Sequence, residues 1–175
     1  MTYFESHPLS GAFVSNKLIC LADLIAEQGE DLLRDASIDV PSRAVSIMLL
    51  IGEHGEISAA DMANILQQPH QLVTQRADLL IDLALIERRS DPRDGRRKIL
   101  VFTAKGAEQF TGLTARMEQV AAVFDALFKE IECDLAAMAS LATEALDRSS
   151  ILERINAITA PSSEKTRVAI ESSEQ

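Results

Sequence analysis

Tryptophan is absent and tyrosine occurs once, so the aromatic content of this 175-residue chain rests on six phenylalanines. Any pocket it forms is expected to be aliphatic. Two cysteines, Cys20 and Cys133, are too few for a secreted disulfide framework, which makes a reducing cytosol the simpler setting. Three histidines, His7, His54 and His70, stand far apart without the spacing of a metal site, so no metal is expected. No apolar run approaches the ~20 residues that span a bilayer, and the start lacks the basic region of a signal peptide. A soluble, cytoplasmic protein without membrane contact is the expectation. No Ser/His/Asp set, phosphate loop, dinucleotide fingerprint or internal repeat occurs, so an enzymatic reading has no support and no cofactor is implied. Positive charge is also short: the net charge of −10 argues against indiscriminate coating of nucleic acid or membrane. Any contact with DNA must be local.

What is present is one concentrated exception. Ile86 to Thr103 has strand formers at both ends and Asp91-Pro92-Arg93-Asp94-Gly95 between them, which predicts a β-hairpin with a long tip. Between Arg88 and Lys98 six bases face two acids, so this stretch is +4 and the remainder of the chain −14. Charge gathered on one projecting element suits phosphate contact, with inserted arginine in a narrow minor groove. A solvated hairpin would carry charge too. The segment before it decides between the two.

The spacing of Phe13, Val14, Leu18, Leu21, Leu24, Ile25, Leu32 and Leu33 predicts a first helix over 10–35. Asp39 offers an N-cap ahead of Pro41 for a second, heavily apolar helix through Ile51 that ends near Gly52 to Gly55. Ile57 suggests a short strand, and Ser58 with Asp61 fits a capping box opening a third helix. Gln67-Gln68-Pro69 interrupts that helix, and a fourth follows from about His70 to Leu83. Its buried stripe is Val73, Ala77, Leu80 and Ala84. Gln71, Thr74, Gln75, Asp78 and Asp82 recur on the other side, so the N-terminal half exposes a hydrogen-bonding and nearly uncharged face. Amides and hydroxyls of that kind read base edges. Thr103 caps a long fifth helix through Phe128, and a last helix is expected from about Glu132 to Ile158.

Helix, turn, polar-faced helix and basic hairpin is the order of a winged helix-turn-helix. The run Leu80-Ile81-Asp82-Leu83-Ala84-Leu85-Ile86-Glu87-Arg88-Arg89, then Asp91-Pro92-Arg93-Asp94-Gly95-Arg96-Arg97 and Leu100 to Gly106, resembles the MarR family of bacterial transcriptional regulators. The resemblance is close over Asp39 to Gly106. It implies a mostly α fold with a small antiparallel β-hairpin, a winged helix-turn-helix domain plus long dimerisation helices. One domain over 1–160 is expected: dimerisation helices at 10–35 and 104–158, the winged region at 38–103, and a flexible tail over 161–175. By the same resemblance Asp94 braces the wing and Arg96 points into the minor groove, while Pro69, His70, Gln71, Thr74 and Gln75 match positions that face the major groove. Arg93 and Arg97 complete the basic tip and are expected to contact DNA as well. Two departures stand out. Ala84 occupies a position the family usually gives to glycine, and Arg76 replaces a usual aliphatic and is expected to reach a backbone phosphate.

The function implied is sequence-specific binding of a double-stranded DNA operator by a homodimeric repressor. Helices of roughly 25 residues span nearly 40 Å, more than the winged core covers, so Phe124, Leu127, Phe128 and the last helix are expected at a dimer seam. The resemblance also implies a small effector, hydrophobic or phenolic, in an aliphatic cleft. Cys20 lies where hydroperoxide-sensing relatives carry a reactive thiol. Its apolar neighbours and the missing tyrosines favour an inert buried cysteine over a redox switch. A winged-helix protein-interaction module stays open as the alternative in another class.

Overall fold

The computed structural model of the chain describes residues 3–159, so the expected tail over 161–175 lies outside the described residues. A division after Ala121 separates two compact units within the span that reads as one domain in sequence.

In the first unit, α1 (Tyr3–Ser6) and a 3-10 turn (Ser10–Phe13) lead into α2 (Val14–Asp35). The rings of Tyr3, Phe4, His7 and Phe13 pack on one another with centroids 5.2 to 6.2 Å apart. That cluster seats the N-terminal segment on the start of α2. Next, α3 (Val45–His54) buries Ile47, Met48, Leu50 and Ile51, as its apolar sequence dictates. Asp39 does not cap it: a 3-10 turn (Ser42–Ala44) comes first, and the Asp39 carboxylate instead lies 3.1 Å from Lys105 Nζ. The Asp39 N–H donates to Gln109 Oε1 at 2.7 Å, so the residue serves to tie its loop to a later helix. Gly55 ends α3 at φ +73°, a conformation glycine adopts without a Cβ penalty, and its N–H donates to the Ile51 carbonyl at 2.8 Å.

Helix α4 (Ala59–Leu66) opens on the expected cap, with the Asp61 N–H donating to Ser58 Oγ at 3.2 Å. The break before α5 (His70–Asp82) is made by Gln67 in the left-handed region at φ 49°. Val73, Ala77 and Leu80 of α5 are fully buried; Ala84, read as part of this stripe, lies beyond the helix end and is exposed. Strands β1 (Ile86–Ser90) and β2 (Lys98–Phe102) pair antiparallel, with Ile86 opposite Phe102 and Ser90 opposite Lys98. In place of the expected short strand, Ile57 makes a single antiparallel bridge to Leu100. Helix α6 (Ala104–Glu130) begins where Thr103 Oγ1 accepts from the Gly106 N–H at 3.0 Å. Leu33, Ile47, Met48, Ile51, Met62, Leu80, Leu85, Ile86 and Leu113 are all fully buried in one core. Each such side chain contributes about 1.5–3 kcal/mol, against roughly 0–1 kcal/mol for an exposed ion pair, so this core dominates the stability of the unit.

In the second unit, α6 ends with Glu132 left-handed at φ 52° and the Cys133 N–H donating to the Phe128 carbonyl at 3.0 Å. The last helix expected over 132–158 is two helices, α7 (Leu135–Arg148) and α8 (Ile151–Thr159). Asp134 starts the first by accepting from the Ala137 N–H at 2.9 Å. Ser150 and Glu153 restart the second as a reciprocal capping box: the Ser150 N–H donates to Glu153 Oε2 at 2.7 Å and the Glu153 N–H to Ser150 Oγ at 3.3 Å. Hydrogen bonding from the Ser150 backbone holds the Glu153 carboxyl below its ordinary range. A depressed carboxylate stabilises the cap above the unfolded value and loses that contribution as pH falls through the folded one. No residue of α7 or α8 is buried, and Met138, Leu141, Leu146, Ile151, Leu152 and Ile155 are exposed.

Ala84 follows α5 at φ 55°, with its N–H on the Ile81 carbonyl at 2.8 Å and the Leu85 N–H on the Leu80 carbonyl at 2.9 Å. This is the left-handed helix end that usually takes glycine, and here it is forced on an alanine. Ala84→Gly is therefore expected to raise stability by about 1 kcal/mol, seen as a higher unfolding midpoint in denaturant. A lower midpoint would show that the Ala84 methyl gains more from contact than the backbone loses.

Candidate nucleic-acid interface

The wing tip is shaped by its own carboxylates. Asp94 Oδ1 accepts from the Arg96 N–H at 3.0 Å, and Asp91 Oδ1 accepts from the Arg93 N–H at 2.8 Å. Two backbone bonds close the loop: the Asp91 N–H donates to the Arg97 carbonyl at 3.0 Å and the Arg97 N–H to the Asp94 carbonyl at 2.9 Å. The geometry gives Asp94 the form of a brace and adds Asp91 as a second one. Side chains that bond the backbone two residues on are a known way for Asp to turn a chain, so the Asp-x-x-Asp spacing carried that signal.

The six bases of the hairpin are not equivalent. Arg88 pairs with Asp78 of α5, and Arg89 Nε donates to Glu87 Oε1 at 2.8 Å. Lys98 Nζ donates to Ser90 Oγ at 2.8 Å across the strands. Arg97 turns inward, forming an ion pair with Asp61, donating to Ser58 Oγ at 3.3 Å and lying 3.7 Å from Asp91 Oδ2. It clamps the base of the tip to the N-terminus of α4. Among the described residues, that leaves the Arg93 and Arg96 guanidinium groups without a partner, both exposed at the tip.

On α5, Gln71 and Gln75 are exposed and Thr74 is half-buried, its hydroxyl 3.5 Å from His70 Nδ1. Pro69 and His70 are exposed at the helix start. Arg76 is half-buried, and its Nη1 donates to Gln68 Oε1 at 2.8 Å, so the guanidinium expected on a phosphate is engaged within the chain. Between α4, α5 and the wing lies an open groove of about 510 Å³, lined among others by Asp61, His70, Thr74, Arg88, Arg97 and Lys98. The residues singled out in sequence thus fall on one unit, an uncharged amide face beside a tip with two free positive charges.

A second cavity of the same unit, about 270 Å³, is walled mainly by apolar groups of α2 and α6, including Ile25, Ala26, Leu32, Met117 and Val120. It is aliphatic, as the composition leads one to expect. Cys20 is exposed on α2, contrary to the buried cysteine expected, because its neighbours Leu18, Ile19, Leu21 and Leu24 are themselves uncovered in the single chain. Among the described residues no group of three or more His, Cys, Asp or Glu could hold a metal, and no helix is long and apolar enough to cross a membrane.

The two arginines of the tip are separable by stability. Arg96→Ala removes an exposed side chain that has no hydrogen-bond or ion-pair partner among the described residues and is expected to leave the unfolding midpoint within about 0.5 kcal/mol of the parent. Arg97→Ala breaks a half-exposed clamp, with an expected loss of up to ~1 kcal/mol and faster amide exchange over 91–97. Equal effects of the two in denaturant unfolding would contradict the inward placement of Arg97.

The model of the MarR family matches residues 38–97. No curated protein matches the chain. Among solved structures, a MarR transcriptional regulator from Methanosarcina mazei aligns with a TM-score of 0.57 at 12% identity, over 78% of this chain and 98% of that one. The transcriptional regulator BldR from Sulfolobus solfataricus aligns at 0.56 and 16% identity, over 85% and 99%. A MepR-like protein complexed with pseudoligands aligns at 0.52 and 23% identity, over 81% and 96%. At these identities the likeness shows the fold, and the family match covers the segment that bears the amide face and the wing. Residues 38–97 are thus similar in sequence to the MarR family, and the unit that holds them shares its fold with solved transcriptional regulators.

Proposed function

We propose that this chain is a repressor that binds a pseudo-palindromic operator in double-stranded DNA as a homodimer and releases it on binding a small hydrophobic or phenolic effector. The observation that carries the reading is the pairing, on one winged unit, of an exposed neutral face at Gln71 and Gln75 with two unpartnered arginines at the wing tip. Amides on a helix suit adenine in the major groove, and free guanidinium groups suit phosphate or a narrow minor groove. The remaining negative charge keeps other surfaces off DNA. Dimerisation is supported by the apolar residues that each unit leaves uncovered, Val14, Leu18, Ile19 and Leu24 on α2 and the row along α7 and α8. Rows of this kind expose more apolar surface than a monomer ordinarily tolerates, and a second copy is the simplest cover for them.

Duplex DNA from the chain's own upstream region tests the reading. The dimer, seen by sedimentation at micromolar concentration, is expected to bind it with affinity that falls by orders of magnitude from low to moderate salt. Arg96→Ala is expected to lower the slope of log affinity against log salt by about one for each phosphate lost and to weaken all sequences alike. Gln71→Ala is expected to relax base preference at one position, by about 1–3 kcal/mol, with the slope kept. A chain that retards no duplex at low salt would sink the proposal.

The effector is supported by the aliphatic cavity on α2 and α6, and by the fact that a protein of like fold, the MepR-like one, holds pseudoligands. A ligand shifts a two-state equilibrium only by its preference for one state, and a few kcal/mol suffice to empty an operator. Phenolic and lipophilic compounds that raise the unfolding temperature are expected to release DNA as well. Binders that stabilise the fold and leave DNA affinity untouched would show that the cavity is no switch. Release by hydroperoxide that Cys20→Ser abolishes would assign the switch to the exposed thiol instead.

A further inference from the structure

Arg76 stands where the sequence leads one to expect a phosphate contact, yet the structure gives its guanidinium a partner inside the helix-turn-helix. Apart from this bond, the turn it reaches is held by backbone hydrogen bonds and by the packing of Leu66 and Val73 on either side. Gln67 sits in the left-handed region at φ 49° without being glycine, and Pro69, the N-cap of α5, makes no side-chain cap bond. The remaining bonds around the turn are backbone ones: the Gln67 N–H on the Asn64 carbonyl at 3.3 Å, the Gln68 N–H on the Ala63 carbonyl at 3.0 Å, and the Leu72 and Val73 N–H groups on the Pro69 carbonyl at 2.9 and 3.2 Å. Gln68 thus bonds backward to α4 through its N–H and forward to the second turn of α5 through its side chain, which accepts from Arg76 Nη1 at 2.8 Å. Arg76 lies beside Ala77 and three positions after Val73, on the edge of the fully buried stripe, so its stem starts from a fixed place.

We infer that Arg76 is a positioning residue: with Gln68 it rivets the turn between the two helices and sets the approach of the face that carries Gln71 and Gln75. The inference rests on the DNA-binding reading and deepens it. Base-edge hydrogen bonds tolerate small errors of helix placement poorly, whereas contacts to phosphate through long flexible side chains tolerate them well. Loss of the rivet therefore costs discrimination, and leaves general attraction to DNA in place.

The full-length chain carrying Arg76→Met keeps the aliphatic stem without the guanidinium, and Gln68→Ala removes the other partner. Each is expected to weaken operator binding about 5- to 10-fold while random-duplex affinity and the salt slope stay at the parent values, and the double variant to be no weaker than the poorer single one. Unfolding without DNA is expected to show the same coupling, with midpoint losses that are less than additive. A salt slope lowered by about 0.9 in Arg76→Met, with operator and random duplex weakened equally, would make Arg76 a phosphate contact and overturn the inference. Additive unfolding losses would overturn it whatever the DNA result. A parent chain that binds no duplex sinks the DNA-binding reading, and less-than-additive unfolding would then uphold the rivet alone.

Discussion

The winged unit depends on a junction a few residues long, where the end of α5, the base of the hairpin and the start of α6 meet at Leu85. The Thr103 N–H donates to the Leu85 carbonyl at 3.1 Å, and Thr103 Oγ1 donates to the Ala84 carbonyl at 2.7 Å while accepting from the Gly106 N–H. A Cβ on Gly106 would stand 1.8 Å from the Leu85 carbonyl oxygen, so only glycine lets the helix come this close. Lys105 adds a charge to the same knot, with Nζ 3.1 Å from Asp39 Oδ2 and 3.4 Å from the Leu83 carbonyl. Any movement of α6 at this point is felt at once by the wing and by the end of α5, since packed backbone does not deform gradually.

Charge on the unit does two kinds of work that a count of residues merges. Arg88, Arg89 and Arg97 are partnered by Asp78, Glu87 and Asp61, and each pair is half-exposed, so each contributes little to stability. Their effect is geometric. Arg88 ties the hairpin to α5 and Arg97 clamps its tip to α4, which leaves Arg93 and Arg96 projecting from a loop already closed by Asp91 and Asp94. A positive tip held in place by acids is consistent with a chain that is strongly acidic overall.

Much of this architecture was legible in the linear chain because it depends on neighbours a few residues apart. Apolar spacing located α2, α3, α5 and α6, the Ser58 to Asp61 pair located the start of α4, and the turn residues located the wing. The break between α7 and α8 was equally local, since Ser150 and Glu153 form the same kind of capping box, but it is masked by an apolar pattern that continues across it. Asp39 misled for the opposite reason: its spacing suits a cap, and the partner that takes it, Lys105, is 66 positions away in sequence.

The sequence by itself determined the order of elements, the buried stripe of α5 and the identity of the basic hairpin, since periodicity and turn chemistry act within a few residues. Only the tertiary structure decided which arginines are free. Arg76 and Arg97 look no different from Arg93 and Arg96 in the chain, and their inward bonds to Gln68 and Asp61 depend on where folding brings α4 against α5 and the wing. It likewise decided that Cys20 and the apolar rows of α2, α7 and α8 remain exposed in a single chain, because burial is a property of what packs against a face and the face alone does not reveal its cover.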